Sequence, residues 1–359
     1  MILPKSRAAA KQYKKVHGTI SFLLQACLLF LIIKKMLHGE HHMQETSEMR
    51  GLPLARAFFR SCEARLREAV PDIMDAAAVG LVGEGSECFG CDDEFSRDHD
   101  WGPAFCIWLP EAELAAGASR LNAALAELPA SFAGYPSRMR PESRMGRVGP
   151  LAIEVFYARF TGLRRIPESR QEWRNIPEHA LAACTNGEVF TDGKGDFSAW
   201  RHALLNYYPQ DVWLKKLAAR CMNMAQAGQY NLPRALRRGE TVCAMLAVSR
   251  FVEAALGMLF LLNRRYMPFY KWAWHIGQGL PFMGESSAQA LKRIASTPLV
   301  HGGGETVCRE VEELCARFAA ALREQGLSSE KDSWLWAHGP QLAARISDPE
   351  IARLNLLED

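Results

Sequence analysis

The sequence predicts an α/β fold of the α+β type, a small mixed sheet followed by an all-helical C-terminal domain. Three observations predict it. Up to about residue 165, short apolar runs rich in β-branched and aromatic residues alternate with helical patterns. After that point the long patterns all have helical period. The 359 residues are 48% hydrophobic and 23% charged, the mix of a soluble globular chain of about two domains, which excludes disorder or coiled coil as the main state. The expected organisation is an extension over 1–48, an α/β domain over 49–165 and a helical domain over 166–359.

Leu52, Leu54, Phe58, Phe59, Cys62, Leu66 and Val70 fall near helical spacing and predict a helix stopped by Pro71 and Asp72. Ala76–Val82 is a short apolar run bounded by glycine and reads as a buried strand. A Gly- and acid-rich loop over 83–97 follows, then a second expected strand from Asp98 to Leu109. Pro110 with Glu111 and Glu113 opens a helix that runs to about Leu128. Leu151–Tyr157 alternates around Glu154 and reads as a third strand. Beyond Arg165, helical patterns cover Leu204–Ala227, Thr241–Tyr266 and Gly304–Gln325, with breaks at Pro209, Pro233, Pro268 and Pro281.

The extension has a different character. Lys5, Arg7, Lys11, Lys14 and Lys15 precede the apolar run Ile20–Ile33, which Lys34 and Lys35 close. Such a run is shorter than the roughly 20 residues that span a bilayer. A membrane anchor and a cleaved signal compete with a third reading, translation from Met43 or Met49 with 1–42 as upstream sequence. Membrane contact is expected only if 20–33 is a real anchor. Ten irregularly spaced cysteines predict reduced thiols and a cytoplasmic location. A net charge of +3 lacks the excess of a strongly basic nucleic-acid binder, and no DNA partner is expected.

The chemistry concentrates in the stretch from Gly80 to Trp101. An expected strand delivers the chain into Gly83-Glu84-Gly85-Ser86, where glycine lets backbone N–H groups approach a phosphate and the Ser86 hydroxyl adds a donor. On a strand, Asp98 and Asp100 would share one face and His99 would point to the other. Two carboxylates on one face repel unless a cation lies between them, and Mg²⁺ takes oxygen ligands that it shares with phosphates. Glu154, set among Ala152, Ile153, Val155 and Phe156, is costly there unless paired or bound to metal. It would complete a three-carboxylate site; a salt bridge to an arginine is the plainer alternative.

The order Gly85-Ser86, eleven intervening residues, Asp98-His99-Asp100 and a later carboxylate resembles the polymerase-β-type nucleotidyltransferase superfamily. Glu84 and His99 depart from that pattern, since apolar residues are usual at both places. The fuller string around 83–103, with Thr185–Phe190, Tyr207–Leu214 and Leu262–Trp272, resembles one bacterial family in it, the domain-of-unknown-function 4037 family. The resemblance covers roughly 50–355. It implies a nucleotidyltransferase-like domain followed by a helical one. It also implies an enzyme that transfers a nucleoside monophosphate from a nucleoside triphosphate, ATP first, to an acceptor hydroxyl. Asp98, Asp100 and Glu154 would be catalytic and hold Mg²⁺, with Glu154 either a ligand or a base. Gly85 and Ser86 would hold phosphates. Read from the residues themselves, Lys271 or Arg265 would reach the nucleotide phosphates, or Tyr270 and Trp272 would shape an acceptor pocket; snorkelling cations and core aromatics at a helix end are the plainer alternative. The acceptor is expected to be a small polar molecule before a protein or RNA end. The alternatives are a catalytically silent nucleotide-binding or regulatory module, and a phosphohydrolase using Asp98, His99 and Asp100.

Cys88-Phe-Gly-Cys91 lacks the second ligand pair that zinc needs, and reads as small-residue packing. Asp92, Asp93 and Glu94 read as a solvated turn. Gly302-Gly-Gly304 has no following Lys-Ser/Thr and reads as a helix-entry loop.

Overall fold

The computed structural model describes residues 50–300 and 302–358. The readings of 1–48 as anchor, signal or mis-assigned start lie outside them.

Helix α1 (Gly51–Ala69) follows the predicted pattern and buries Leu54, Phe58, Phe59, Cys62 and Leu66 on one face. Pro71 does not end helical structure there; it starts a short helix, Pro71–Ala76, as the fixed φ of proline suits a first helical position. Strand β1 (Ala78–Leu81) is fully buried, as its apolar run predicts. Strand β2 (Cys106–Leu109) is shorter than the sequence predicts. Asp100 has φ 53° and Gly102 φ 140°, so the backbone over 98–104 turns where a strand was expected. Helix α2 (Glu111–Ala126) begins where Pro110 places it.

The third expected strand is corrected in type. Strand β3 is Gly149–Ala152, and helix α3 (Ile153–Thr161) begins at once, placing Glu154 in its first turn. Ile153, Phe156, Tyr157 and Phe160 are the buried residues of α3, spaced i, i+3, i+4 and i+7. That helical period wins over the alternation around Glu154.

A fourth strand, β4 (Glu188–Asp192), lies past the expected 165/166 boundary. The sheet order is β3-β2-β1-β4. β1 is antiparallel to both β2 and β4, and β2 is parallel to β3. The segment after 165 is therefore not all-helical, and it supplies an edge of the sheet. β1 and β4 approach closely: a Cβ on Gly80 would lie 2.3 Å from the Glu188 carbonyl oxygen, which only glycine allows.

Helix α4 (Asp196–Leu205) returns across the sheet, and Trp108 of β2 stacks on its Phe197 with ring centroids 4.0 Å apart. Helices α5 (Gln210–Met224), α6 (Thr241–Leu262), α7 (Tyr270–Gln278) and α8 (Gly303–Glu324) follow, with further helices between and after them. The Leu204–Ala227 pattern is split by a turn at 206–209, with α5 starting after Pro209. α6 is the one described helix long and apolar enough to cross a membrane, yet 61% of its most apolar window is buried, as in the core helix of a globular protein. One continuous apolar core runs from Ala55 to Ile351 through both halves. The nine described cysteines are all free thiols.

Candidate functional site

β1 ends at Leu81 and delivers the chain into the loop that opens the site. Asn186 clamps that loop from just before β4: its side-chain oxygen accepts from Gly83 N–H (3.0 Å) and its amide donates to Gly83 O (2.7 Å). Ser86–Phe89 then forms a tight helical turn. Glu87 sits behind it, wedged between two glycines. A Cβ on Gly85 would lie 2.3 Å from the Glu87 carboxylate, and one on Gly51 would lie 2.6 Å from the Glu87 Cβ.

In front of the turn is a cleft of about 650 Å³. It is lined by Gly85 and Ser86, by Asp98, His99 and Asp100, by Arg147, and by Lys271, Trp272 and His275 of α7. Trp272 fixes α7 against the turn, its ring centroid 4.8 Å from that of Phe89. Lys271 Nζ lies 4.5 Å from the Trp272 ring centroid, a cation–π contact.

The expected residues Gly85, Ser86, Asp98, Asp100 and Lys271 are thus brought together. The reason for Asp98 and Asp100 is corrected: a turn, not strand alternation, puts both in the cleft. His99 is there too rather than on an opposite face, with Nδ1 2.6 Å from Asp98 Oδ1. Two expected residues lie elsewhere. Glu154 Oε2 accepts from Glu111 N–H (3.0 Å) at the start of α2, away from the cleft, so the three-carboxylate arrangement is not formed. No group of three His, Cys, Asp or Glu able to hold a metal ion occurs among the described residues. Arg265 lines a separate apolar pocket beside Phe260 and Tyr266.

Arginines that the linear motif did not single out surround the carboxylates. Arg147 NH1 donates to Asp100 Oδ2 (2.9 Å), and its NH2 lies 3.4 Å from Glu84 Oε2. Arg159 NH2 also reaches Glu84, at 2.6 Å. Arg138 donates to the Asp100 carbonyl, and burial pulls its pKa below the ordinary guanidinium value against the charges of Glu87 and Asp100. Arg147 and Arg138 lie 47 and 38 positions from Asp100, beyond the reach of any local pattern.

The acid run 92–94 is structural for the most part. Buried Asp92 accepts from Gly51 N–H (2.7 Å) and Trp101 Nε1 (3.1 Å) through Oδ2, fixing the start of α1. Asp93 Oδ1 accepts from Ser96 N–H (2.9 Å) within its own turn.

Residues 173–273 match a family model described as Domain of unknown function (DUF4037). This is the family that the sequence motifs resemble. The DUF4037 match takes in β4, α4, α5 and α6 and ends inside α7. It therefore contains Asn186, Lys271 and Trp272 and stops short of the loop that carries Gly85, Ser86, Asp98 and Asp100. No curated protein and no solved structure matches the chain.

Glu87 gives a pH prediction. Burial raises its pKa above the ordinary glutamate value. The folded chain then binds more protons than the unfolded one between those two values, and stability falls as pH rises through that window. Glu87→Gln removes this loss. The variant is expected to unfold at a higher temperature than the parent at neutral pH. The gain should shrink to nothing as pH falls below the ordinary glutamate range, which a series of melts will show.

Proposed function

We propose that the chain is a Mg²⁺-dependent nucleotidyltransferase of the polymerase-β type. It moves a nucleoside monophosphate from a nucleoside triphosphate, ATP first, to a hydroxyl of a small polar acceptor in the cytoplasm. One observation supports this above the others: Gly85-Ser86, Asp98 and Asp100 from one stretch of sequence and Lys271 from a distant one line one cleft.

The donor set fits Mg²⁺. Asp98 and Asp100 offer hard oxygen ligands, and as no metal-holding group of three side chains occurs among the described residues, the ion would complete its shell with triphosphate oxygens and water, as Mg²⁺ commonly does. Bound there, Mg²⁺ would neutralise charge on the reacting phosphates. Ser86 and the Gly85 backbone bind the β- and γ-phosphates, and Lys271 adds positive charge from α7. The acceptor oxygen bonds to the α-phosphorus as the bond from that phosphorus to the bridging oxygen breaks. Pyrophosphate leaves with that oxygen, and the acceptor proton passes to solvent. Glu154 has no part in this step, because its carboxylate is engaged at Glu111.

The second reading, a silent nucleotide-binding module, is favoured by one contact: the Asp100 carboxylate is held by Arg147. The test is pyrophosphate release from ATP with Mg²⁺ and a pool of small hydroxyl compounds. Release supports the enzyme; ATP binding without release supports the module; neither sinks both. For the enzyme, Lys271→Ala is expected to raise KM for ATP by about tenfold, the value of one charge-assisted contact, with a smaller change in kcat.

A further inference from the structure

A second cavity, about 540 Å³, is lined wholly by residues between Arg174 and Tyr270. The two meet at α7, where Tyr270 lines this cavity and Lys271 lines the cleft. Two of its lining residues, Lys216 and Glu178, are buried charges. Lys216 Nζ is 3.4 Å from Glu178 Oε1, and the same oxygen accepts from Arg220 at 2.9 Å. Glu178 Oε2 is buried without a hydrogen-bond partner, and so is Arg174 Nε. The nearest carboxylate to the Arg174 guanidinium, that of Glu358, is 3.8 Å away. An unmet buried donor and an unmet buried acceptor on two residues that line one cavity are each costly, and a ligand that reached both would remove both costs. Arg174, Lys216 and Arg220 outnumber Glu178 and Glu253 along the wall, which favours an anion. Phe269 and Tyr270 are 43% and 71% exposed at the rim, an apolar face beside those charges.

We propose that this cavity binds a small molecule carrying an anionic oxygen group, carboxylate or phosphate, beside a hydroxyl or amino donor. The anion meets Arg174 and Lys216, the donor meets Glu178 Oε2, and any flat apolar part lies on Phe269 and Tyr270. The site uses no residue of the nucleotide cleft and stands whether or not the chain is a transferase.

Calorimetric titration of the full chain tests it with two probes and a control. 3-Phenyllactate carries a carboxylate, a hydroxyl and a ring; glycerol 3-phosphate carries a phosphate and hydroxyls; 3-phenylpropane-1,2-diol is neutral. At least one anion should bind saturably, and the diol at least about tenfold more weakly, as expected for losing a charged hydrogen bond. Binding of phenyllactate alone assigns a carboxylate, and of glycerol 3-phosphate alone a phosphate. Arg174→Gln should weaken the bound anion by about tenfold. Tyr270→Glu, at an exposed position that folding tolerates, should weaken it by repulsion. Asp98→Asn should bind like the parent. The proposal falls if neither anion binds, if the diol binds as well, if both Arg174→Gln and Tyr270→Glu bind like the parent, or if Asp98→Asn abolishes binding.

Discussion

Asp98→Asn is expected to lower Mg²⁺-dependent pyrophosphate release by about a hundredfold or more while leaving the unfolding midpoint unchanged. The substitution keeps shape and hydrogen-bonding capacity but removes one charge from the proposed metal shell. Metal stabilisation of a reacting phosphate is worth several kcal/mol, and about 1.4 kcal/mol is tenfold in rate. Stability should not respond, because the Asp98 side chain is 69% exposed and its ion-pair partner among the described residues is the neighbouring His99. Asp100→Asn should behave differently. It too should lose activity, but it also loses the ion pair to Arg147 and leaves Arg138 with one fewer nearby charge, so its midpoint should fall. Full release by Asp98→Asn would move the metal out of this cleft. A large fall in its midpoint would make Asp98 a structural residue.

Trp108→Ala is expected to destabilise the fold by about 3–5 kcal/mol, the usual cost of emptying a large buried aromatic site. Trp108 is fully buried, stacks on Phe197 of α4 and meets Phe156 of α3 edge-on at 5.4 Å. The loss is comparable with the whole stability of a typical domain, about 5–15 kcal/mol. Denaturant unfolding followed by far-UV circular dichroism and tryptophan fluorescence should give one shifted transition for both signals. The sheet and the helices after 165 share a core through Trp108 and Phe197, so neither should melt alone. Two separated transitions would show that the halves are independent domains after all. Trp108→Phe should cost far less. Its ring still fills most of the space, and it removes a buried Nε1–H that has no hydrogen-bond partner.

Where the chain carried its own local signal, the sequence reading and the structure agree. The spacing of Leu54, Phe58, Phe59, Cys62 and Leu66 marks α1, and Pro110 with its following acids marks α2. The long apolar periods mark α6 and α8. Around Glu154 two periods overlap: Leu151–Tyr157 alternates about the carboxylate, while Ile153, Phe156, Tyr157 and Phe160 have the helical spacing that the fold adopts. Asp98 and Asp100 show a sound juxtaposition reached for an unsound reason. Gly102 and Pro103 are marks of a turn inside the stretch whose aromatic and β-branched content predicts a strand.

Determined by the sequence alone were the short-range features: where long helices such as α1, α2, α6 and α8 lie, where the Gly-Ser turn follows a buried strand, and which acids stand two residues apart. These depend on side-chain periodicity and local backbone preference, which act over a few residues. The tertiary structure alone decided the rest. It recruited β4 from beyond residue 165 to the sheet edge, because Glu188–Asp192 pairs with β1 across a hundred residues of chain. It set Arg147 on Asp100 and Asn186 on Gly83, turned Glu154 away to Glu111, and brought Lys271 to the Gly-Ser turn through the Phe89–Trp272 contact. Such pairings are fixed by how whole elements pack into one core. A charged or amide side chain carries no mark in its own neighbourhood of which distant partner that packing will bring to it.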